Sequence, residues 1–237
     1  MLFCDTYAFA DFPVSVSTEY EFFHRISNLY RSKAVPQFVI ATTQTDIDSE
    51  KASDTEGTFS SREQLEALAV QRKLSEELLN HDTILFHSSA LAVDGEGYLF
   101  AAVSGTGKST HAKLWREVYG DRVTMINDDK PFLKITDNEA RVYGSPWDGK
   151  HHLSTNTSVP IKAICILTRD TTNHIERITP DEAFPILYQQ TYRPKEREKL
   201  LKVLDLIIRL SNRVTLYRLG CNMDPEAAEV SYKGMQE

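Results

Sequence analysis

The chain has 237 residues with 41% hydrophobic residues, a formal net charge of -7 and a pI near 5.6. This length supports one large or two small globular domains with a sizeable core. The acidic balance argues against a nucleic-acid partner and against an anionic membrane surface, and no apolar run approaches the length of a membrane span. The cysteines Cys4, Cys165 and Cys221 are odd in number and lack metal-ligand spacing. They predict free thiols in a reducing, cytoplasmic compartment.

The N-terminal segment mixes strand and helix signals. Strand-like runs at 7–12 and 37–43 flank an aromatic-rich stretch whose rings we expect in a core. Residues 44–58 carry five acidic residues with serine, threonine and glycine, which is typical of an exposed loop or a boundary. We therefore predict a small α+β region over residues 1–58 and a second, larger domain over residues 59–237.

Helical periodicity follows the acidic stretch and returns near the C-terminus. Ser60 and Glu63 form a capping-box signature for a helix that reaches about Asn80. Residues 180–210 predict two helices. The core-facing stripe predicted for the second consists of Leu200, Leu201, Leu204, Ile207 and Ile208.

The middle of the chain predicts a hairpin that leads into a glycine-rich loop. Residues 84–93 and 98–103 are strand-like and are separated by a turn with the sequence Asp-Gly-Glu-Gly. An antiparallel neighbour just before the loop indicates a mixed sheet. The loop and first helical turn read Ser104, Gly105, Thr106, Gly107, Lys108, Ser109 and Thr110.

This run predicts a phosphate-binding loop for ATP. Gly105 and Gly107 allow the backbone to turn its N–H groups towards one point, Lys108 supplies a charge for the β- and γ-phosphates, and the Ser109 hydroxyl can ligate Mg²⁺. The helix that follows adds the positive end of its dipole. The strict motif requires glycine where Ala102 stands, so the strand-loop-helix setting carries much of the prediction.

A carboxylate pair follows the helix. The helix is predicted over 109–119, and a short strand over 122–126 runs into Asn127, Asp128 and Asp129. Adjacent residues of an extended strand point to opposite faces, so both carboxylates can reach one site only if the chain bends there. A solvated turn is the alternative interpretation of the pair.

These segments together resemble the catalytic domain of HPr kinase/phosphorylase, whose phosphate loop is like that of phosphoenolpyruvate carboxykinase. The resemblance covers about residues 83–190. Its matching segments are LFHSSALAV, SGTGKST, the Asn-Asp-Asp run and YGSPWDGK. It implies an α/β fold with a mixed sheet. The chain departs from the family at Ala102 and Thr110, and residues 1–80 do not resemble the family's N-terminal domain, so HPr is not the expected acceptor.

The resemblance also implies roles for individual residues. It assigns Asp128 and Asp129 jointly to Mg²⁺ ligation and to the general base, and it places His87 beside the loop, where it could orient the base or contact the transferred phosphate. A packed structural histidine is the alternative for His87.

Three further residues are candidates for the phosphate acceptor site. Trp147 offers a flat apolar surface, Lys150 a phosphate clamp, and Arg193 a group that binds acceptor or phosphate. A packed surface loop and a solvated helix-end arginine are the alternatives. His111 is expected on the helix surface.

The favoured function is an ATP- and Mg²⁺-dependent kinase that phosphorylates a hydroxyl, such as a serine, of a protein, a peptide or a small molecule. The alternatives are a nucleotide-binding regulatory or assembly module with little turnover and a phosphoserine phosphorylase. The direction of the reaction, the acceptor and homo-oligomerisation are left open by the sequence.

Overall fold

The structure is a computed structural model that describes residues 2–53 and 61–236. It divides into two compact units, Met1–His81 and Asp82–Glu237. The predicted boundary between residues 58 and 59 precedes the helix of residues 62–78, whereas the observed division follows that helix.

The first unit contains both strands and helices. A three-stranded sheet has the order β1-β2-β3, with β1 antiparallel and β3 parallel to β2. The elements are β1 (Phe3–Phe9), β2 (Phe12–Thr18), α1 (Phe22–Ile26), β3 (Phe38–Ala41), α2 (Gln44–Ser53) and α3 (Arg62–Leu78). Of the aromatic-rich stretch predicted to pack in a core, Phe23 and Tyr30 are buried, whereas Tyr20 and Phe22 are only partly buried.

The helix α2 corrects the prediction of a loop over the acidic stretch, whose last residues lie outside the described part of the chain. Asp46 lies 2.7 Å from Lys73 and 3.2 Å from Arg72 of α3, and Arg72 also contacts Glu50 at 2.6 Å. Ile47 is buried. Charge pairing with a second helix therefore stabilises a segment that looks like a loop when it is considered alone.

The start of α3 lies one residue beyond the predicted capping position. The Ser61 hydroxyl accepts a hydrogen bond from the backbone N–H of Gln64 at 3.3 Å. Ser60 lies outside the described residues. Inside α3, the buried carboxylate of Glu66 accepts bonds from the backbone N–H groups of Glu19 and Tyr20 and from the Thr42 hydroxyl, so this helix belongs with the first unit.

The second unit is a nine-stranded mixed sheet with helices. Its strands are β4 (Thr83–Leu85), β5 (Ser89–Val93), β6 (Glu96–Ala101), β7 (Val123–Asn127), β8 (Phe132–Ile135), β9 (Ala140–Tyr143), β10 (Ser158–Arg169), β11 (His174–Arg177) and β12 (Thr215–Cys221). Its helices are α4 (Lys108–Tyr119), α5 (Pro180–Gln190), α6 (Arg197–Arg213) and α7 (Glu226–Gly234).

The sheet has the order β4-β8-β9-β10-β6-β5-β7, and β12 pairs with β10 and with β11. The strands β6 and β12 are parallel to β10, whereas the other pairs are antiparallel. The predicted mixed sheet and the β5-β6 hairpin are thereby confirmed. The single strand predicted over 84–93 is instead two strands, because the segment between them bonds elsewhere: the His87 N–H donates to Gln190 and the Ser88 N–H to Asp129.

On two helices the buried residues differ from those predicted. On α6 the buried residues are Val203, Leu206, Ile207, Leu210 and Ser211. Leu201 and Ile208 of the predicted stripe are 54% and 51% exposed, because leucine and isoleucine occupy two faces of this helix. On α4, His111 is buried rather than on the surface.

Within the described residues, no helix has the length and hydrophobicity needed to cross a bilayer.

Candidate functional site

Three neighbouring strands bring the predicted site residues to one edge of the sheet. The strand β5 lies between β6 and β7 and is antiparallel to both. The end of β6, the start of β5 and the end of β7 therefore share an edge. This edge carries the loop before Lys108, the segment with His87, and the pair Asp128 and Asp129.

The loop between β6 and α4, residues 102–107, is called the glycine loop below. Gly105 and Gly107 have φ angles of +79° and +125°, values that side chains with a Cβ rarely adopt. The helix α4 begins at Lys108 without a side-chain cap, so its first backbone N–H groups are oriented for a ligand. These features fit a bound anion.

Lys108 is held inside the site. Its ammonium group donates to the carbonyl oxygen of Ala102 at 3.1 Å, and the residue is 8% exposed. Burial lowers the pKa of Lys108, while the charges of Asp128 and Asp129 oppose that shift. The buried Lys108 ammonium group, whose charged form is favoured by two nearby carboxylates, is suited to bind a negatively charged group.

Arg169 contacts the other end of the glycine loop. It is the last residue of β10, and its guanidinium donates to the carbonyl oxygens of Gly105 and Thr106. Because β6 and β10 are parallel, their carboxyl ends lie side by side. This contact turns carbonyl oxygens of the loop towards Arg169, and nothing in the motif itself indicated it.

Asn127 supplies the bend that the acidic pair requires. Its side-chain oxygen accepts bonds from the backbone N–H groups of Asp129 at 2.8 Å and Lys130 at 2.7 Å. Its amide nitrogen donates to the carbonyl oxygen of Ser145 at 2.9 Å and to its hydroxyl at 3.2 Å. The chain turns immediately after β7, and both carboxylates line the same cleft.

The two carboxylates differ in environment. Asp128 is 6% exposed and accepts a bond from the Ser89 hydroxyl at 2.7 Å. The Asp129 carboxylate lies 3.1 Å from His87 Nε2. Burial alone would raise the pKa of Asp129, but the hydrogen bond from His87 and the positive charges of Lys130 and Lys108 lower it. The lowered pKa favours the anionic form of Asp129, and His87 is its hydrogen-bond partner.

The segment 144–150 forms hydrogen bonds with the turn that carries the acidic pair. The Ser145 hydroxyl donates to the carbonyl oxygen of Lys130 at 2.6 Å, and the Lys130 N–H donates to the carbonyl oxygen of Trp147 at 3.1 Å. Gly149 has a φ angle of +73°, and a Cβ there would lie 3.3 Å from the Asp129 Cβ. Glycine thus permits this loop to approach the carboxylate closely.

A cleft of about 540 Å³ collects most of the predicted site residues. Its lining includes His87, Ser104, Gly105, Gly107, Lys108, Ser109, Thr110, Asp128, Asp129 and Lys150. One hydroxyl and two carboxylates, from Ser109, Asp128 and Asp129, form the oxygen-rich set that a magnesium ion prefers. A second cavity of about 490 Å³ shares Ser109, Thr110, Asp128 and His151 with the cleft and adds Lys113 and Arg116 of α4. It is called the basic cavity below.

Two predicted acceptor residues are absent from the cleft lining in the described part of the chain. Arg193 donates to the carbonyl oxygens of Tyr188 at 2.8 Å and Gln189 at 2.7 Å, and its guanidinium lies over the Tyr188 ring. It thereby caps the end of α5. Trp147 packs edge-on against Phe132.

Asn127, Ser89 and Arg169 are site residues that the sequence analysis missed. Asn127 is adjacent to the carboxylate pair, and a buried asparagine at a strand end is a signal for a local turn. Ser89 reaches the site because β5 pairs with β7, and Arg169 reaches it because β10 pairs with β6. The sequence alone does not show which strands pair.

Comparisons with known proteins show a remote structural likeness and no match in sequence. No family model matches the chain, and no curated protein matches it. Among solved structures, the Hpr(Ser) kinase/phosphatase from Coxiella burnetii is similar with a TM-score of 0.37 and 10% sequence identity. The similarity covers 64% of this chain and 96% of that chain.

Proposed function

We propose that the second unit is an ATP- and Mg²⁺-dependent phosphotransferase that transfers the γ-phosphate to a hydroxyl. The observation that carries this proposal is the single cleft into which three neighbouring strands deliver Lys108, Asp128 and Asp129. Phosphoryl transfer needs charge neutralisation on the nucleotide and a group that takes the hydroxyl proton, and this lining contains both.

The glycine loop holds the phosphates in this proposal. Its backbone N–H groups and the start of α4 bind the β- and γ-phosphates, and the Lys108 ammonium exchanges the Ala102 carbonyl oxygen for a phosphate oxygen. Ser109 and the carboxylate pair hold Mg²⁺, which supplies additional charge neutralisation when bound. Arg169 keeps the loop in the required shape.

One carboxylate of the pair accepts the proton. The acceptor oxygen attacks the γ-phosphorus, the bond from that phosphorus to the bridging oxygen of ADP breaks, and the hydroxyl proton passes to Asp128 or Asp129. His87 orients the Asp129 carboxylate through the 3.1 Å contact. The same residues would also support phosphorolysis, in which inorganic phosphate attacks a phosphoserine, the bond from phosphorus to the serine oxygen breaks, and pyrophosphate and the protonated hydroxyl are formed.

The acceptor enters through the basic cavity. Asp128 lines both spaces, so a hydroxyl there lies beside the phosphate end of the cleft. Lys113 and Arg116 line this cavity, and His151 lies between it and the cleft. Lys150 lines the cleft, and in this proposal it contacts the transferred phosphate. These cationic side chains favour an acceptor that also carries an anionic group.

Binding is tested first. Calorimetry with MgADP should show at least about a tenfold loss of affinity for Lys108→Met, because a charge-assisted contact to phosphate disappears. Lys113→Met, a change of the same type in the second turn of α4, is the matched control and should bind MgADP as the wild type does. Equal MgADP affinity in all three folded proteins would remove the nucleotide assignment.

Turnover is tested separately. The protein is incubated with γ-labelled ATP and an extract of the source cells. Transfer of the labelled phosphate to water and to any acceptor is recorded. Asp128→Asn and Asp129→Asn should each lower transfer by at least about a hundredfold, whereas Asp121→Asn on the exposed turn after α4 should not. Nucleotide binding without measurable transfer in the wild type would favour a regulatory module instead.

A further inference from the structure

The basic cavity runs along one face of α4. Ser109, Ala112, Lys113 and Arg116 line it, and their spacing of three and four residues places them on the same side of the helix. At about 1.5 Å for each residue, about 10 Å of helix separates Ser109 from Arg116. The strand β7 follows α4 after a short turn and packs against it, so Asp128, just after β7, lies beside the start of α4. Arg116 therefore lies towards the opposite end of the cavity from Asp128.

Arg116 is a half-buried cation without a counter-ion. Among the residues that the structure describes, no carboxylate lies within ion-pair distance of its guanidinium, and its buried Nε–H has no acceptor. Lys113 differs, because it is exposed and its ammonium lies 3.4 Å from Glu117. The terminal nitrogens of a guanidinium form a planar fork that matches an anion with two oxygens. Arg116 is therefore the residue of this cavity that is best suited to bind an anionic group.

Apolar side chains line the wall between the two ends. Ala112 is midway along the α4 face, Met125 belongs to β7, and Leu153 packs against the same core as these two residues. The volume of about 490 Å³ is typical of a pocket for a small molecule. A ligand that matches this cavity has a hydroxyl at one end, an apolar middle and an anionic group at the other end.

We propose that the phosphate acceptor is a small alcohol that carries a carboxylate or a phosphate, with this anionic group on Arg116 and the hydroxyl beside Asp128. This inference rests on the proposed function and names the acceptor class that the proposed function leaves open. The hydroxyl oxygen forms the new bond to the γ-phosphorus, the bond from that phosphorus to ADP breaks, and the hydroxyl proton passes to Asp128 or Asp129. The product is a phosphate ester that keeps its first anionic group.

Transfer from γ-labelled ATP tests this assignment when the extract of the source cells is first separated by ultrafiltration into protein and small-molecule fractions. The label should enter the small-molecule fraction, and mass spectrometry of the labelled product should show a second anionic group. Arg116→Met should raise the KM for this fraction at least about tenfold with kcat and MgADP affinity near wild type, because the contact to the anion is the same before and during transfer. Arg213→Met, at the exposed end of α6, is the matched control and should leave that KM unchanged.

Inhibition of the wild type gives a second test that needs no variant. Pentanoate and butyl phosphate each carry an anion on an apolar chain but have no hydroxyl, so both should compete with the acceptor of the small-molecule fraction. Pentanol has the same apolar chain without the anion and should not inhibit at the same concentration. The stronger of the two anionic inhibitors identifies the second group of the acceptor as a carboxylate or a phosphate.

Three results would overturn the inference and leave the proposed phosphotransferase in place. Label found only in the protein fraction would show a macromolecular acceptor. An unchanged KM in folded Arg116→Met would remove Arg116 from the acceptor site, and anions that inhibit no better than pentanol would remove the anionic group from the acceptor. Absence of any transfer by a wild type that binds MgADP is a different outcome, because it refutes the proposed function itself.

Discussion

Replacement of Asn127 is the strongest test of the site architecture. Its side chain is fully buried and connects the end of β7 to two other segments. Replacement by leucine keeps a similar volume but removes the acceptor of two backbone N–H groups and the donor to Ser145. The Asp129 N–H and the Ser145 carbonyl oxygen then lose this partner, and the Lys130 N–H keeps only the Trp147 carbonyl oxygen. At about 0.5 to 1.5 kcal/mol for each of these three hydrogen bonds to Asn127, the expected loss in the free energy of unfolding is about 1.5 to 4.5 kcal/mol.

Urea denaturation followed by circular dichroism measures this loss. Asn138→Leu is the matched control, because Asn138 lies in an exposed turn after β8, and its stability should change by less than about 0.5 kcal/mol. Asn127→Asp keeps the accepting oxygen but places a second oxygen towards the Ser145 carbonyl, so it should also destabilise. A loss below about 0.5 kcal/mol for Asn127→Leu would show that the bend does not depend on this side chain, and the account of the carboxylate pair would be wrong.

Three other predictions concern buried charge. Glu66→Ala should destabilise the first unit by about 2 to 4 kcal/mol in urea denaturation, because two backbone N–H groups and the Thr42 hydroxyl lose their acceptor, and a change near zero would contradict this. Burial lowers the pKa of Lys108, so the unfolded chain holds this proton at pH values where the folded protein releases it. The stability of wild type relative to Lys108→Met should therefore rise with pH over the range just below 10.5, the ordinary pKa of lysine, and a flat difference would refute it. Burial alone would raise the pKa of Asp129, but the hydrogen bond from His87 and the nearby positive charges lower it. The Asp129 carboxylate therefore stabilises the fold at pH values above its ordinary pKa. This contribution is lost as the pH falls through the pKa of Asp129 in the folded protein. The stability advantage of wild type over Asp129→Asn should shrink on acidification from about pH 6 to pH 3, and an advantage that grows would reverse the assignment.

Local chemistry explains which parts of the fold were predictable. The hairpin, the glycine loop and the helix after it follow from turn residues and from apolar runs that lie next to each other in the chain. The helix α2 was missed because its stability comes from Arg72 and Lys73 of another helix. The face of α6 was misassigned because an apolar stripe shows that a helix is amphipathic but not which of two candidate stripes meets the sheet.

The candidate site was predictable to the extent that its residues share a motif. The loop and the Asp128-Asp129 pair stand out in the sequence, and the resemblance to a known family added His87. The meeting of these segments depends on β5 lying between β6 and β7, and strand order is a property of long-range pairing. For the same reason nothing in the sequence indicated that His111 turns inward against Trp115 and Ser231, whereas the position of Arg193 at a helix end was one of the two interpretations of that residue.

In the proposed phosphotransferase, the position of Asp128 between the cleft and the basic cavity has a consequence for the order in which the two substrates bind and leave. Each space has its own lining and volume, and the carboxylate is common to both. Two ligands can thus be present together, and neither has to leave before the other arrives. Steady-state rates measured at several fixed concentrations of the second substrate should give intersecting double-reciprocal lines, the pattern of a ternary complex. Parallel lines, the pattern of a covalent phosphoenzyme, would require a nucleophile that takes over the phosphate in the interval between the two substrates.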